Sequence, residues 1–454
     1  MSGSQSPQTS RAGEAQRSRW SRTGLPVVLV VALCLVSFAA GTLRIGSIRT
    51  GRQAESTAVR EARSIAEGQH RYGIVEYTHY PNGPTYALAA MMQLGLSRQQ
   101  ARLLPTAVSA LCAGMLLWVL VAPSGPLLRT WATLALAALV LQPGIVDWQG
   151  ALHEHSYAIS TALLAMALSC CLPARHVWVF SGLGFAAGWI GYDFLPAQGL
   201  AVFTLRWTYH CALRNLSLGA AFTRATLDAL AFASGAAVAI LTHLLQLALY
   251  FGSLSQAIRD LLGSAAARMG AEAAASMNPE YEAFLDRSAS RLLRRGAWQG
   301  QLSPGRPQML TTIFHAFLAP RWIYATSLWA VAAAGVALVA FHLRSAERRA
   351  RLRAATLRRP LLVLVVALCG TVAAPIAWIL LMPRHAFFHL HMLPRHFFVA
   401  AALLVVLPVA LSWHRRGEPG ETAVGPSLLI SFVVYAVPLL LVVATFAYGV
   451  VALQ

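Results

Sequence analysis

The sequence contains no lysine among its 454 residues, so every fixed side-chain cation in it is an arginine. Charged residues are also scarce, at 12% of the chain, whereas 57% of the residues are hydrophobic and long apolar runs recur from end to end. Such a composition excludes an ordinary soluble domain and indicates a polytopic membrane protein. The formal net charge of +19 does not indicate a nucleic-acid partner, because the arginines concentrate between the hydrophobic spans, as membrane topology predicts.

The chain also lacks a disulfide framework and a zinc-binding cysteine pattern. Its six cysteines lie in or beside apolar spans and show no characteristic spacing. No internal repeat is evident, which disfavours a transporter built from inverted repeats. The function must therefore be sought in the polar segments between the spans.

The apolar runs predict eleven transmembrane helices, each near the length of about 20 residues that a bilayer requires. These spans are 25–43, 103–121, 130–147, 151–172, 176–192, 194–209, 226–251, 322–343, 360–382, 396–413 and 427–452. Residues 1–23 form a Ser/Arg-rich tail for which we predict disorder. The first span is interpreted as an uncleaved anchor, because no convincing cleavage site followed by a soluble chain is present. Around Asp193, one long helix or a re-entrant turn are alternatives to two separate spans.

A short apolar helix is predicted over residues 85–96, and it is too short to cross a bilayer. We expect it to lie along the membrane interface after a polar loop. With this helix left out of the count, the positive-inside rule puts the N-terminus and the seven-arginine loop 344–359 in the cytoplasm. The same count assigns Arg206 and Arg214 to the inner face.

With this topology the unusual polar segments fall together on the outer face. They are 44–96, 147–155, the position of Asp193, 252–321 and 383–396. Nine of the fourteen histidines lie in these segments, whereas the inner face offers only short basic connections. An active site would therefore face outward.

The first outer segment predicts an amphipathic helix over residues 55–68. One interpretation is a solvated surface helix with Glu/Arg pairs three to four residues apart, in which Glu61 and Glu67 lie on the solvated face. In the functional interpretation, Glu55 acts at the membrane boundary as a general base on an acceptor hydroxyl or amine. Glu76, which follows in the same segment, is the substitute candidate.

Acidic residues also occur in the second outer segment and near the break at residue 193. Residues 147–156 form either a polar loop with an interfacial tryptophan or a functional segment in which an acid lies between two histidines. The candidates of this segment are Asp147, His153, Glu154 and His155. Asp193 is a lone acid in an apolar stretch, where it either hydrogen-bonds at a helix break or serves the active site. Ionisable residues at membrane depth are costly and usually functional.

The densest polar constellation is the segment 383–396. Its candidate residues are Arg384, His385, His389, His391 and Arg395. In a helix, the two histidines four residues apart would share a face that can bind zinc, but no carboxylate or cysteine accompanies them. Arginines and histidines above the bilayer suit a lipid phosphate or pyrophosphate better, because guanidinium groups bind phosphate oxygens bidentately. An interfacial belt of aromatic residues and histidines is the structural alternative.

Several motif positions of the first outer segment form a recognisable pattern. They are Ala54-Glu55, the helix positions Ala62, Ile65 and Gly68, and the turn Thr78-His79-Tyr80-Pro81-Asn82-Gly83-Pro84. This pattern resembles the first outer loop of GT-C-type integral-membrane glycosyltransferases, which include protein O-mannosyltransferases and bacterial aminoarabinose transferases. Ala54 stands where that family has an aspartate that is often catalytic, which moves the carboxylate role to Glu55 or Glu76. Glu154 looks like the family's second acidic residue, and Arg395 resembles an arginine of its later loops.

The resemblance implies an all-α, GT-C-like fold and transfer of a sugar from a polyprenyl-phosphate donor to a lipid, glycan or protein acceptor. It also implies a bacterial inner membrane, with a cytoplasmic N-terminus and an outward site. The implied catalytic residues are Glu55, Glu154 and Glu76, and the implied binding residues are His79, Tyr80, Asp147, His153, His155, Asp193, Arg384, His385, His389, His391 and Arg395. No cofactor is assigned, and a divalent metal ion is kept as an alternative. A transporter or flippase for a lipid-linked or anionic substrate is the rival class, because it would use the same arginines and intramembrane acids.

The chain is accordingly divided into four segments. They are a cytoplasmic tail 1–23, a GT-C-like core 24–251 that includes the first outer loop 44–102, an outer loop 252–321, and the C-terminal transmembrane helices 322–454. In the outer loop 252–321, several arginines share one predicted helical face. That face would rest on anionic headgroups or cover the site as a lid.

The topology is testable by cysteine labelling. In a cysteine-free variant carrying a single cysteine at Ser64 or at Ala355, a membrane-impermeant thiol reagent should label only position 64 in intact cells. The reason is that 44–96 is predicted outside and 344–359 inside. Labelling of position 355 alone would reverse the orientation and overturn the assignment of the outer site.

Overall fold

The structure, a computed structural model, describes residues 8–44, 52–69, 81, 83–152, 154–173, 176–192, 194–212, 216–269, 306–318, 372–388 and 397–412. Most of these residues are helical, and none of them lies in a β-strand. The all-α class predicted from the sequence is therefore confirmed for the described part of the chain.

Fifteen helices make up the described residues. They are α1 (Gln8–Arg44), α2 (Arg52–Ala66), α3 (Gly83–Gln93), α4 (Arg98–Val121), α5 (Pro126–Val140), α6 (Pro143–Gln149), α7 (Glu154–Cys171), α8 (Val177–Ile190), α9 (Leu195–Ala212), α10 (Leu218–Phe251), α11 (Leu254–Met269), α12 (Arg306–Leu318), α13 (Val372–Leu381), α14 (Pro383–Phe388) and α15 (Phe398–Ser412). Helix α1 begins inside the tail for which the sequence predicts disorder. Its first turns contain Gln, Ala, Glu and Arg, which are good helix formers and extend the helix of the apolar anchor.

Three helical stretches in the described ranges are long and apolar enough to cross a membrane. They are Gly24–Leu43, Arg98–Val121 and Leu218–Phe251. Shorter apolar helices occupy Pro126–Val140, Ser156–Cys171, Val177–Ile190 and Val372–Leu381. Each of these helices overlaps a predicted span, which supports the transmembrane character of the chain. The predicted spans 322–343 and 427–452 lie outside the described residues.

The main hydrophobic core joins helices α4, α5, α7, α9 and α15. Leu116, Leu136 and Leu163, on three of these helices, are fully buried in it. Trp131 on α5 is buried beside α15, where its indole N–H donates a hydrogen bond to the Val405 carbonyl oxygen at 3.4 Å. Helix α15, which follows the segment 383–396, is thereby fixed against the N-terminal half of the chain.

Helices α8 and α10 pack with their backbones in contact. A Cβ atom at Gly184 would collide with the carbonyl group of Phe232, and one at Gly235 would collide with the carbonyl group of Ser181. At Gly188 an added Cβ would lie 2.9 Å from the nearest side chain of α10. Small residues spaced four apart permit this close approach, which favours helix association where lipid offers no hydrophobic driving force. The contact fixes the position of α10 relative to α8.

The region around Asp193 contains two separate helices. Helix α8 ends at Ile190 and α9 begins at Leu195, so the alternative of one long helix is wrong. The second residue of α9 is Pro196, which a helix tolerates in its first turn because the missing N–H would have no intrahelical partner there. Asp193 itself lies outside the described residues.

The contact between α8 and α10 is testable by a single methyl group. Gly235→Ala should lower the thermal unfolding temperature in detergent, because overpacking of this kind costs about 1–3 kcal/mol. Gly219→Ala is the matched control, since Gly219 lies on the same helix and an added Cβ there meets nothing within 4 Å. Equal stability of the two variants would contradict the close contact.

Candidate functional site

The short helix α3 connects the first outer loop to the helical bundle. It spans Gly83–Gln93, which confirms the short helix predicted over 85–96, with its bounds shifted towards the N-terminus. Its first residue, Gly83, packs against the indole ring of Trp189 near the end of α8, and an added Cβ would lie 2.6 Å from the Trp189 carbonyl oxygen. After α3 the chain turns at Gly95, which has a φ of 78°. Ser97 then caps α4 by exchanging hydrogen bonds with Gln100.

An apolar cluster joins the first outer loop to the second. Ala62 and Ile65 on α2 pack in it with Leu88 and Met91 on α3. Leu152, which lies two residues before Glu154, belongs to the same cluster. The two acidic segments predicted from the sequence therefore meet through their neighbouring apolar residues.

Tyr86 extends this contact from α3 to α10. Its ring packs against the apolar cluster, and its hydroxyl shares a hydrogen bond with the side chain of Gln246. Burial raises the pKa of Tyr86 above its ordinary value, and the hydrogen bond to Gln246 opposes part of that rise. The first outer loop is thus connected to α10 by a polar contact as well as by apolar packing.

The same face of α10 carries a buried histidine. His243 lies three residues before Gln246, so the two side chains lie on one side of the helix, and His243 is fully buried. The ring of Tyr192, in the break between α8 and α9, lies 6.4 Å from the His243 ring, measured between centroids. Tyr192 directly precedes Asp193, so this break reaches the same end of α10 as Tyr86.

Buried cations complete the arrangement. Arg268 on α11 is 5% exposed, and its charge acts electrostatically on the Tyr192 hydroxyl. Helix α11 packs against α14, which carries Arg384 and His385, 9% and 5% exposed. The His385 ring meets the Trp378 ring edge-on, with centroids 5.4 Å apart. We call the following residues the polar cluster: Tyr86, Tyr192, His243, Gln246, Arg268, Arg384 and His385.

The polar cluster draws on four segments that the sequence places on one face. Tyr86 comes from 44–96, Tyr192 from the neighbourhood of Asp193, and Arg268 from 252–321, while 383–396 supplies Arg384 and His385. These segments are far apart in sequence and meet at one end of α10. The fifth segment, 147–155, joins them through the apolar cluster that contains Leu152.

A second buried network lies at the other end of α10. Arg206 on α9 donates from Nε to Asp228 Oδ2 at 2.6 Å and from Nη1 to the Leu172 carbonyl oxygen at 2.6 Å. His210 Nε2 lies 3.2 Å from the same Asp228 oxygen. The Arg206 guanidinium lies over the Tyr209 ring, 4.6 Å from its centroid. Asp228 and His243 are 15 residues apart, or about 22 Å along a helix, so the two polar sites are distinct.

This network corrects the sequence interpretation of Arg206. The arginine count treats it as a residue of a short basic connection, whereas the structure buries it completely among α7, α8, α9 and α10. The physical reason is that Asp228, 22 residues later, supplies a counter-charge, and the C-terminal end of α7 supplies carbonyl acceptors. Such a network ties helices together, since breaking a buried ion pair leaves an uncompensated charge.

The predicted site residues fall into three groups. Arg384 and His385 lie in the polar cluster. Four others are placed by their backbone alone: Glu55 in α2, Asp147 in α6, and Glu154 and His155 in the first turn of α7. Outside the described residues are Glu76, His79, Tyr80, His153, Asp193, His389, His391 and Arg395.

Sequence reasoning missed the other members of the polar cluster. His243 and Gln246 lie inside an apolar span, and their presence at membrane depth was the available signal. Arg268 ends an alanine-rich helix that the sequence offered only as part of a surface loop. Glu61 is also different from its prediction, since it is 4% exposed rather than solvated, because it lies one turn before Ile65 on the packed side of α2.

The chain has no detectable match to a known protein family, to a curated protein or to a solved structure. Among the described residues, no group of three or more histidine, cysteine or acidic side chains is arranged to hold a metal ion. The chemistry of the site must therefore be inferred from its own residues. Two buried guanidinium groups beside histidine and tyrosine side chains form a site suited to a phosphate anion.

The attachment of α3 is testable by crosslinking. With cysteines at Tyr86 and Gln246 in a cysteine-free background, a short bismaleimide should join α3 to α10. Gly83→Ala should reduce the yield several-fold, because the added methyl group would collide with Trp189 and displace α3. Gly182→Ala, on the same helix as Trp189 but with open space around it, should leave the yield unchanged. An undiminished yield in Gly83→Ala would contradict this anchoring contact.

Proposed function

We propose that this protein is a GT-C-like membrane glycosyltransferase that transfers a sugar from a polyprenyl-phosphate donor to an acceptor on the outer face. The observation that carries the proposal is the polar cluster, in which two buried arginines lie at one end of α10. The first outer loop, whose motif resembles that family, reaches the same end through Tyr86. A cation site beside a carboxylate-bearing loop is what transfer from a lipid phosphate requires.

The arginines would bind the donor phosphate. Arg268 and Arg384, joined by Arg395 from the same segment, would hold its oxygens through charge-assisted hydrogen bonds. His385 would add a further donor and help to stabilise the charge that develops on the departing phosphate. The isoprenoid chain would lie along the exposed apolar face of α10, where Leu241 and Leu245 point away from the bundle.

A carboxylate would activate the acceptor. Glu55, Glu154 and Glu76 are the candidates from the sequence, and two of their segments share the apolar cluster of Ile65 and Leu152. The acceptor hydroxyl or amine would lose its proton to this carboxylate and form a bond with the anomeric carbon. The bond from that carbon to the phosphate oxygen would break, and polyprenyl phosphate would leave with the electron pair. The remaining candidates would line the site: His79, Tyr80, Asp147, His153, His155, Asp193, His389 and His391.

The membrane arrangement belongs to the same proposal. Eleven spans would place the polar cluster at the outer surface of a bacterial inner membrane and the Arg206 network near the inner surface. The separation of these sites along α10 supports opposite locations, and the seven-arginine loop supports the direction.

A transporter or flippase for a lipid-linked anion is the second candidate. The buried network of Arg206, Asp228 and His210 favours it, because intramembrane acids and bases often form ion or proton pathways. Purified protein in detergent, with no membrane gradient, separates the candidates. Consumption of a polyprenyl-phosphate sugar there favours the transferase, whereas binding without consumption favours transport.

The phosphate site is testable by donor binding. Arg384→Ala should weaken binding of radiolabelled polyprenyl phosphate at least about tenfold, because a lost charge-assisted bond costs roughly 1.5–3 kcal/mol. Arg268→Ala should act similarly. Arg224→Ala is the control, since Arg224 is exposed on α10 near its other end. Unchanged affinity in both cluster variants would exclude the polar cluster as the donor site.

A further inference from the structure

Glu61 is a buried carboxylate that the proposed chemistry does not yet use. It is 4% exposed, whereas Glu67, six residues later, is exposed. Glutamate is almost never fully buried without a specific role, because burial removes the charged form from water. The position is therefore unlike the solvated helix surface that the charge pattern of α2 predicts.

The location of Glu61 connects it to the candidate site. Glu61 and Ile65 are four residues apart and lie on one side of α2, and Ile65 packs with Leu88 on α3 and with Leu152. Tyr86 packs against that same cluster and reaches Gln246 in the polar cluster. A continuous set of contacts thus runs from the surroundings of Glu61 to the end of α10 that holds the buried arginines.

Resting on the proposed function, we infer that Glu61, rather than Glu55, is the carboxylate that accepts the proton of the acceptor. The proton of the acceptor hydroxyl or amine moves to a carboxylate oxygen of Glu61. The freed electron pair of the acceptor forms the bond to the anomeric carbon. The bond from that carbon to the phosphate oxygen breaks, and its electron pair leaves on polyprenyl phosphate beside Arg268 and Arg384.

Turnover by matched variants tests this role. Glu61→Gln keeps the shape and hydrogen-bonding reach of the side chain but cannot accept the proton, so kcat should fall at least about a hundredfold. The Kd for polyprenyl phosphate and the thermal unfolding temperature should stay near the wild-type values. Glu61→Asp should recover part of the turnover, and Glu67→Gln should behave like the wild type. Full turnover in Glu61→Gln, or loss in Glu55→Gln alone, would overturn the assignment.

A second measurement does not depend on turnover. The hydrophobic reagent dicyclohexylcarbodiimide should modify Glu61 in the wild-type protein, as located by peptide mass spectrometry. Polyprenyl phosphate without a sugar should slow that modification at least about fivefold, because the bound lipid phosphate closes the same site. A side chain buried only for packing would show no such protection.

The two measurements separate the possible failures. Sugar transfer by the wild type, with unprotected Glu61 and an active Glu61→Gln, overturns the role of Glu61 and leaves the proposed function standing. Protection of Glu61 without any sugar transfer overturns the transferase and, with it, the proton transfer, but retains Glu61 at a lipid-phosphate site. Absence of both lipid-phosphate binding and transfer overturns both proposals.

Discussion

The backbone contact between α8 and α10 is the constraint on which both buried polar sites depend. Gly184 and Gly235 allow the two helices to approach so closely that neither position accepts a side-chain carbon. Helix α10 is thereby fixed in position along its length. Because Asp228 lies near one end and His243 near the other, each polar site is formed where α10 meets other helices. A shift of α10 along α8 would disturb both sites together.

The two buried sites satisfy their charges in different ways. Arg206 is surrounded by fixed partners, with a carboxylate, two backbone carbonyl groups and two aromatic rings around its guanidinium. Such a neighbourhood compensates the arginine within the protein and leaves it a structural role. Arg268 and Arg384 instead lie among neutral and basic side chains, Tyr192 and His385 among them. An excess of positive charge in a buried place is what an anionic ligand would neutralise.

The sequence predicted some of these features because they depend on local properties. Length alone identified α3 as too short to cross a bilayer, and local density of basic residues identified Arg384 and His385. The pairing of Tyr86 with Gln246, and that of Arg206 with Asp228, depends on how distant segments fold together, which no local pattern encodes. Glu61 was misassigned for the same reason, since a helical charge pattern does not reveal which side another helix covers. The four-residue spacing of Gly184 and Gly188 was a readable signal of close helix packing that the hydropathy pattern alone does not reveal.

The length of α10 has a consequence for the lipid around the protein. At 34 residues the helix is about 51 Å long, whereas the hydrocarbon core of a bilayer is about 30 Å thick. The helix must therefore tilt or extend into the headgroup layers on both sides. The separation of about 22 Å between Asp228 and His243 is smaller than the hydrocarbon thickness, so the depth of each site varies with the local membrane. Thinner membranes would hydrate both ends of α10, and thicker ones would draw them into the acyl chains. Membrane thickness thus becomes a physical variable that sets how much water each buried site meets.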